Sequence, residues 1–542
     1  MPYQWVIRLW LCKAWLWMYL IQISRAFCPS GCTCDETVPS VSCEGAKMDV
    51  VPILLNPRIE SLNLVDNEIR SVSQAFVFYE KLQKLDISNN RIHTLGSNNF
   101  EEQRRLQELL IARNNITELL LKSFSGLSDL ILLDLSYNNI KNLPIGIFSQ
   151  LPSLKFLLLA HNRLHTITVH TLRGIQSLHV LDLCDNIFRY VPTKALVELR
   201  NLKFLNLCRN RLTTIDALAF PNEALNKLSL ESNSIQSIDD SAFSRLQQLQ
   251  MLDLSDNFLS EVPTAALSTL TMLDSLKLSK NNFTRINSNT FQSLVNLKVL
   301  YVSWCPHFKS IHPMAFSKCT KLRTLKMAHN PLLTYIPPGL LSSLPRLHIL
   351  DLRSNGLQGL SESSLPWASV ASLDIRNNPL RCNCSLSWLA NILAQPNASL
   401  ATPDVQCHAP DKLKNVYLSR LSPGELQCPG RLHVIVGIIV VSFSCILIAA
   451  LIIALFRFHK QHQREKNKQE WTPRTMQLWE CDEGHHPSRR VVHNDYIHHH
   501  PGMSKSKMNG TPTDQLKHSY IIADEYEDHT YATIKKDTVT EI

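Results

Sequence analysis

Residues 130–164 read LILLDLSYNNIKNLPIGIFSQLPSLKFLLLAHNRL, and the two halves of this stretch superimpose at an offset of 24. Leu130, Leu133, Leu135, Asn138 and Ile140 recur as Leu154, Leu157, Leu159, Asn162 and Leu164, the pattern L-x-x-L-x-L-x-x-N-x-L. Working outward, the pattern repeats every 23 to 25 residues from 59 to 380, fourteen times in all. Its asparagine falls at Asn67, Asn90, Asn114, Asn138, Asn162, Asn186, Asn210, Asn233, Asn257 and Asn281, is replaced by Cys305, and returns at Asn330, Asn355 and Asn378. A fixed period of this size means stacked supersecondary units, none of which can bury its apolar face alone. In each unit the leucines point inward from a short strand. The asparagine is buried where it can bond the backbone of the turning chain and of the neighbouring coil, so its polarity is satisfied. A second apolar series, Phe100, Phe124, Phe148, Phe220, Phe243, Phe291 and Phe316, supplies the outer arc of the same core.

The pattern resembles that of leucine-rich repeat proteins, which implies an α/β solenoid of about 14 repeats with a curved parallel sheet. Such a stack leaves both end faces bare, and extracellular members of the family cover them with disulfide-bonded caps. Cys28, Cys32, Cys34 and Cys43 precede the first repeat, and Cys382, Cys384, Cys407 and Cys428 follow the last, alongside Asn378-Pro379-Leu380 and Trp388. Four cysteines allow three pairings in each cap. The resemblance implies first to third and second to fourth: Cys28 with Cys34, Cys32 with Cys43, Cys382 with Cys407, and Cys384 with Cys428. The caps are expected over 27–58 and 381–430, flanking repeats 59–380. Sequons at Asn115, Asn282, Asn383 and Asn397 suit a secretory route, and two or three of them are expected to carry glycan.

Four cysteines lie within the array. Cys305 and Cys319 are expected as buried thiols. Cys184 and Cys208 follow the last inward leucines of adjacent repeats, and stacked strands ~4.8 Å apart lie within reach of a disulfide, so both the bridged and the free form stay open.

Two apolar runs set the topology. Ala14–Ile21 follows Arg8 and Lys13 and precedes small residues Ser24 and Ala26, which predicts a signal peptide over 1–26. Residues 434–456 hold 23 residues without a charge, enough to cross ~30 Å of hydrocarbon as a helix. Arg457, His459, Lys460, Arg464, Lys466 and Lys468 follow it, whereas Arg431 and His433 precede it, so the C-terminus is expected in the cytoplasm. The expectation is a single-pass, type I plasma-membrane protein. The net charge of +9 divides into +3 before residue 27, +6 over 27–431 and zero in the last 86 residues, too dilute for a nucleic-acid partner.

Fourteen adjacent strands make a sheet ~65 Å along its arc, whose concave face is the default binding surface. Leu110, Leu132, Phe156, Leu158, Val180 and Phe204 fall on that face and are expected to form an exposed apolar patch rimmed by Asp134 and Asp182, suited to a protein ligand. A second candidate is the Lys277, Lys280, Tyr301, Trp304, Lys326 area, which favours an acidic partner or a sulfated glycan. No G-x-S-x-G, H-E-x-x-H or P-loop occurs, so no catalytic site, cofactor or metal is expected.

Residues 457–542 contain 11 Leu, Ile, Val or Phe in 86 positions, below the level that packs a core, and are expected to be a disordered tail, with neither a kinase nor a packed Toll-type signalling domain. Tyr526, flanked by acidic residues, and Tyr531 are candidate phosphotyrosines for adaptors that read them. Thr540 and Ile542 close the chain as a candidate PDZ ligand. The tail histidines read as compositional bias, since metal binding needs ligands in fixed geometry. The outline resembles capped, single-pass leucine-rich repeat adhesion receptors of the tartan, capricious and synaptic kind. That resemblance implies a receptor or adhesion role for an extracellular protein ligand or a second copy of the chain. The alternative is an innate immune pattern-recognition receptor lacking its own signalling domain.

Overall fold

The computed structural model describes residues 28–35, 37–366, 369–395, 403–428 and 431–468. The expected signal peptide, Asn397, Tyr526, Tyr531, Thr540, Ile542 and most of the expected tail lie outside these residues.

Each repeat contributes one three-residue strand, from Ser61–Asn63 to Ser372–Asp374, all parallel and in register within a single 16-stranded sheet. The two extra strands, Thr33–Asp35 and Ser40–Ser42, pair antiparallel and join the sheet's N-terminal edge. Strands stop at three residues because the chain must turn twice per coil to return one strand further along. The solenoid with about fourteen turns follows from the sequence period. The middle residue of each strand, such as Leu133 or Leu157, is fully buried in one continuous core with the leucines on either side.

The outer arc closes that core with stacked rings: Phe76 on Phe100 at 5.5 Å, Phe124 on Phe148 at 6.0 Å, Phe220 on Phe243 at 5.9 Å and Phe291 on Phe316 at 5.8 Å. The ring row is interrupted at Leu172, Leu196 and Leu267, which are equally buried. Coils approach closely here. Gly126 holds φ at +93°, and a Cβ on it would sit 2.4 Å from the Phe100 carbonyl oxygen, so no larger residue fits.

The asparagine ladder ties coil to coil. Asn162 Nδ2 donates to the carbonyls of Leu135 at 2.9 Å, Leu159 at 3.1 Å and Ala160 at 3.3 Å, while its Oδ1 accepts the Ile140 N–H at 3.0 Å. At repeat eleven, Cys305 donates from sulfur to the carbonyls of Leu278 and Ser303 at 3.7 and 3.6 Å but has no oxygen to accept the Phe283 N–H. Cys305 and Cys319 are buried free thiols; burial pushes them up to about 11 and about 12.

Five disulfides occur among the described residues. Cys28 is bonded to Cys34 and Cys32 to Cys43 at the N-terminal end, and Cys382 to Cys407 and Cys384 to Cys428 at the C-terminal end. Trp388 Nε1 donates to the Leu360 carbonyl at 3.2 Å, laying the indole over the end of the core. The fifth joins Cys184 and Cys208. Considered by itself, Arg431–Lys468 is one helix, of which Ile435–Gln463 is long and apolar enough to cross a membrane.

Candidate ligand-binding face

Four columns of side chains run along the concave side. In repeat four they begin at Leu132, Asp134, Ser136 and Tyr137, and each continues through the matching residue of every other repeat. The fourth column has an uncommon backbone. The residue before every ladder position, from Asp66 through Tyr137, His161 and Trp304 to Asn377, has φ between +49° and +61°, and none is glycine. A side chain in that region costs ~1 to 2 kcal/mol, offset by hydrogen bonds: the Tyr137 N–H donates to Ala160 O and the His161 N–H to Cys184 O, both at 2.9 Å. The following asparagine ties the same turn to itself. Left-handed geometry swings these side chains out of the core, so the column is a display rail whose residue types are free to vary. Sequence reasoning picked out two of its residues, Lys280 and Trp304, but missed the rail they belong to. Its only sequence signal is position, one residue before each ladder asparagine.

In the middle repeats the rail is pre-assembled. The Arg113 guanidinium carbon sits 4.3 Å from the centre of the Tyr137 ring, Tyr137 stacks on His161 at 3.9 Å and 10°, and His161 Nδ1 lies 2.9 Å from Asp185 Oδ2. Burial lowers the pKa of His161, the Asp185 carboxylate opposes that shift, and Arg209 and Arg113 add to it.

On the strands themselves the expected apolar patch is corrected. Leu110, Leu132, Phe156, Leu158 and Val180 do come together, with Phe204 at the edge, but each of the five is at most 8% exposed, and they form a cluster separate from the main core. Curvature explains the difference. Neighbouring strands are ~4.8 Å apart on a sheet that curls toward this face, so large side chains in register cover one another. Asp134 and Asp182, expected as an exposed rim, are buried at 3% and 1%. Asp182 Oδ1 accepts the Cys184 N–H at 3.0 Å, while Oδ2 accepts no hydrogen bond among the described residues. Burial pushes its carboxyl up to about 7, with Asp134 adding to the shift and the Cys184 N–H and the nearby Asn206 side chain opposing it.

The second area lies over repeats ten to twelve. Trp304 is 54% exposed and stacks on His329 at 3.8 Å and 6°, and the Lys326 ammonium stands 5.3 Å from the Tyr301 ring centre. Lys277 pairs with Asp253 at 2.9 Å; burial lowers the ammonium's pKa, but Asp253, Glu231 and Tyr301 outweigh that and the net shift is upward. Glu231 is shifted upward by burial and by Asp253.

Of the sequon asparagines, Asn115 and Asn383 are exposed and Asn282 is half-buried. No cluster of three potential metal ligands exists among the described residues.

A curved sheet that displays side chains from a buried-leucine scaffold defines a class of repeat protein, and comparison with known sequences agrees. Overlapping matches to the leucine rich repeat family run without a gap from residue 57 to 357, more than half of the chain. The chain belongs to the leucine-rich repeat family. It is 34% identical to human Toll-like receptor 5 over 137 residues, covering 25% of this chain and 15% of that protein. It is 32% identical to human oligodendrocyte-myelin glycoprotein over 116 residues, covering 21% of this chain and 25% of that one. In structure it resembles the receptor in a TLR13–ssRNA13 complex, with TM-score 0.50, 25% identity, and coverage of 65% of this chain and 52% of that one. A Leptospira interrogans leucine-rich repeat protein shares the fold at TM-score 0.54 and 23% identity, over 67% and 94% of the two chains. These alignments span a minor part of the two sequence relatives.

Proposed function

We propose that this protein is a single-pass, type I receptor or adhesion molecule of the plasma membrane, binding a protein ligand or a second copy of itself on the concave face. The observation that supports this most is the Arg113–Tyr137–His161–Asp185 rail. Its rings and charges already hold one another in place, so little side-chain entropy is lost when a partner docks, and aromatic and arginine side chains are those that anchor protein interfaces. The buried Leu110 to Val180 cluster acts as the rigid floor of that site rather than its contact surface. Arg457 and the basic residues after the apolar span favour a cytoplasmic C-terminus, where phosphorylated Tyr526 or Tyr531 and the Thr540–Ile542 end would recruit phosphotyrosine-reading and PDZ adaptors. A kinship with tartan, capricious and the synaptic leucine-rich repeat proteins belongs to this reading.

Proximity labelling around the full chain on intact cells, together with homotypic cell mixing, tests it. Tyr137→Ala with His161→Ala should remove the partner or the cell aggregates while leaving surface delivery unchanged. Unchanged partners in that variant would refute the concave site. The second reading is an innate immune pattern-recognition receptor, and the partial similarity to a Toll-like receptor is what supports it. Activation by a microbial component without any cellular partner would select it.

A further inference from the structure

Repeats ten to twelve differ in charge from the rest of the concave face. Their four columns hold Lys277, Lys280 and Lys326 with Tyr301, Trp304 and His329, and no carboxylate. Acids return on both sides, with Asp253 and Asp256 on repeat nine and Asp351 on repeat thirteen. The window of positive charge is therefore about three strands wide, roughly 10 to 15 Å. Within it Lys277 is held by Asp253, whereas Lys280 is exposed and forms no ion pair among the described residues. His329 covers one side of the exposed Trp304 indole, leaving the other toward repeat ten, where Lys280 stands.

The remaining concave residues of these repeats are mainly small and hydroxyl-bearing: Ser275, Ser279, Ser303 and Thr324, all partly exposed. A protein partner would look for apolar side chains to desolvate its anchor, whereas apart from the aromatic rings the apolar residues of these columns are Val299, half-buried, and Ala328, buried. A long nucleic-acid strand needs a continuous basic track, and the flanking aspartates interrupt it. Alternating cations, a flat aromatic platform and hydroxyl groups instead match an anionic, polyhydroxylated ligand, whose ring hydrogens stack on the indole while its charged groups meet the lysines.

We propose that this window binds a sulfated glycosaminoglycan segment, laid along Lys277, Tyr301 and Lys326 with Trp304 as its stacking platform and Lys280 on its charged groups. The proposal is independent of the middle-repeat protein site.

The test uses the full chain in lipid nanodiscs, its N-glycans removed enzymatically so that none at Asn282 shields Lys280, binding a heparin oligosaccharide. Lys280→Glu with Lys326→Glu should weaken binding by about tenfold or more, because both charges are reversed at the contact. Trp304→Ala should weaken it by about three- to tenfold and Trp304→Phe by less, as expected for loss of a stacking face. Arg245→Glu, on the outer arc and paired with Glu223 at 3.1 Å, is the control and should change binding less than about twofold. Equal losses in the control, no effect of Trp304→Ala, or equally strong competition by a polyglutamate peptide or single-stranded RNA would each overturn the proposal. None of these variants touches Tyr137 or His161, so failure here leaves the protein-ligand reading standing.

Discussion

Cys184 and Cys208 stand with their Cα atoms 4.5 Å apart in neighbouring coils and are bonded through their sulfurs on the concave side of the sheet. Each follows an inward leucine and points to the same face as Asp182 and Asn206. The bond therefore staples the sixth and seventh repeats on the surface where a ligand would lie.

Replacing both by serine should lower stability by about 1 to 3 kcal/mol, less than the ~3 kcal/mol or more of a free loop this long, because the coils on either side already restrain the two strands. Chemical denaturation measures it. Cys184→Ser alone should leave one additional maleimide-reactive thiol after mild denaturation, and non-reducing peptide mapping should find the two peptides linked.

The ladder predicts opposite effects at two of its positions. Asn162→Leu removes four hydrogen bonds and leaves buried backbone groups unpaired, a loss of about 3 kcal/mol or more. Cys305→Asn should raise stability by about 1 kcal/mol, because it restores an acceptor for the Phe283 N–H. Melting temperatures of the purified variants decide both, and a destabilised Cys305→Asn would show that Pro306 has reshaped the turn beyond repair by a side chain.

Asp182 makes stability depend on pH. Its folded pKa, about 7, lies above the ordinary value near ~4, so the folded protein retains a proton that the unfolded chain releases between those limits. The stabilisation is complete below about pH 4 and is lost as pH rises to about 7. Asp182→Asn should match the parent in urea midpoint below about pH 4 and exceed it by a margin that grows up to about pH 7, flattening the slope between. An unchanged slope would mean the carboxyl is ionised throughout.

The caps should be required for export. Cys34→Ser or Cys407→Ser opens a bond worth about 2 to 5 kcal/mol and bares the end leucines, so either variant should be retained inside the cell. Surface labelling of intact cells reads this directly, and normal delivery of both variants would contradict it.

The repeat, its asparagines and the inward leucines were legible in the primary structure because a solenoid writes the same local requirement every 23 to 25 residues. Each coil buries its own leucines against nearest neighbours, so periodicity alone carries the architecture. What escaped the sequence depends on contacts between coils. Leu110, Leu132, Phe156, Leu158 and Val180 face outward from their strands and are nonetheless buried, since curvature and a ~4.8 Å strand spacing let them cover one another. The same crowding takes Asp182 out of water. Whether Cys184 meets Cys208 depends on how their Cβ vectors converge across two strands, which spacing does not encode. The left-handed rail escaped for a different reason: its backbone is imposed by hydrogen bonds from the next coil and from the ladder asparagine, so Arg, Tyr, His, Asp, Lys and Trp all occupy it and no residue type marks it. Interior chemistry is thus set along the chain, whereas the exposed chemistry of this protein is set by the curvature that brings neighbouring coils together.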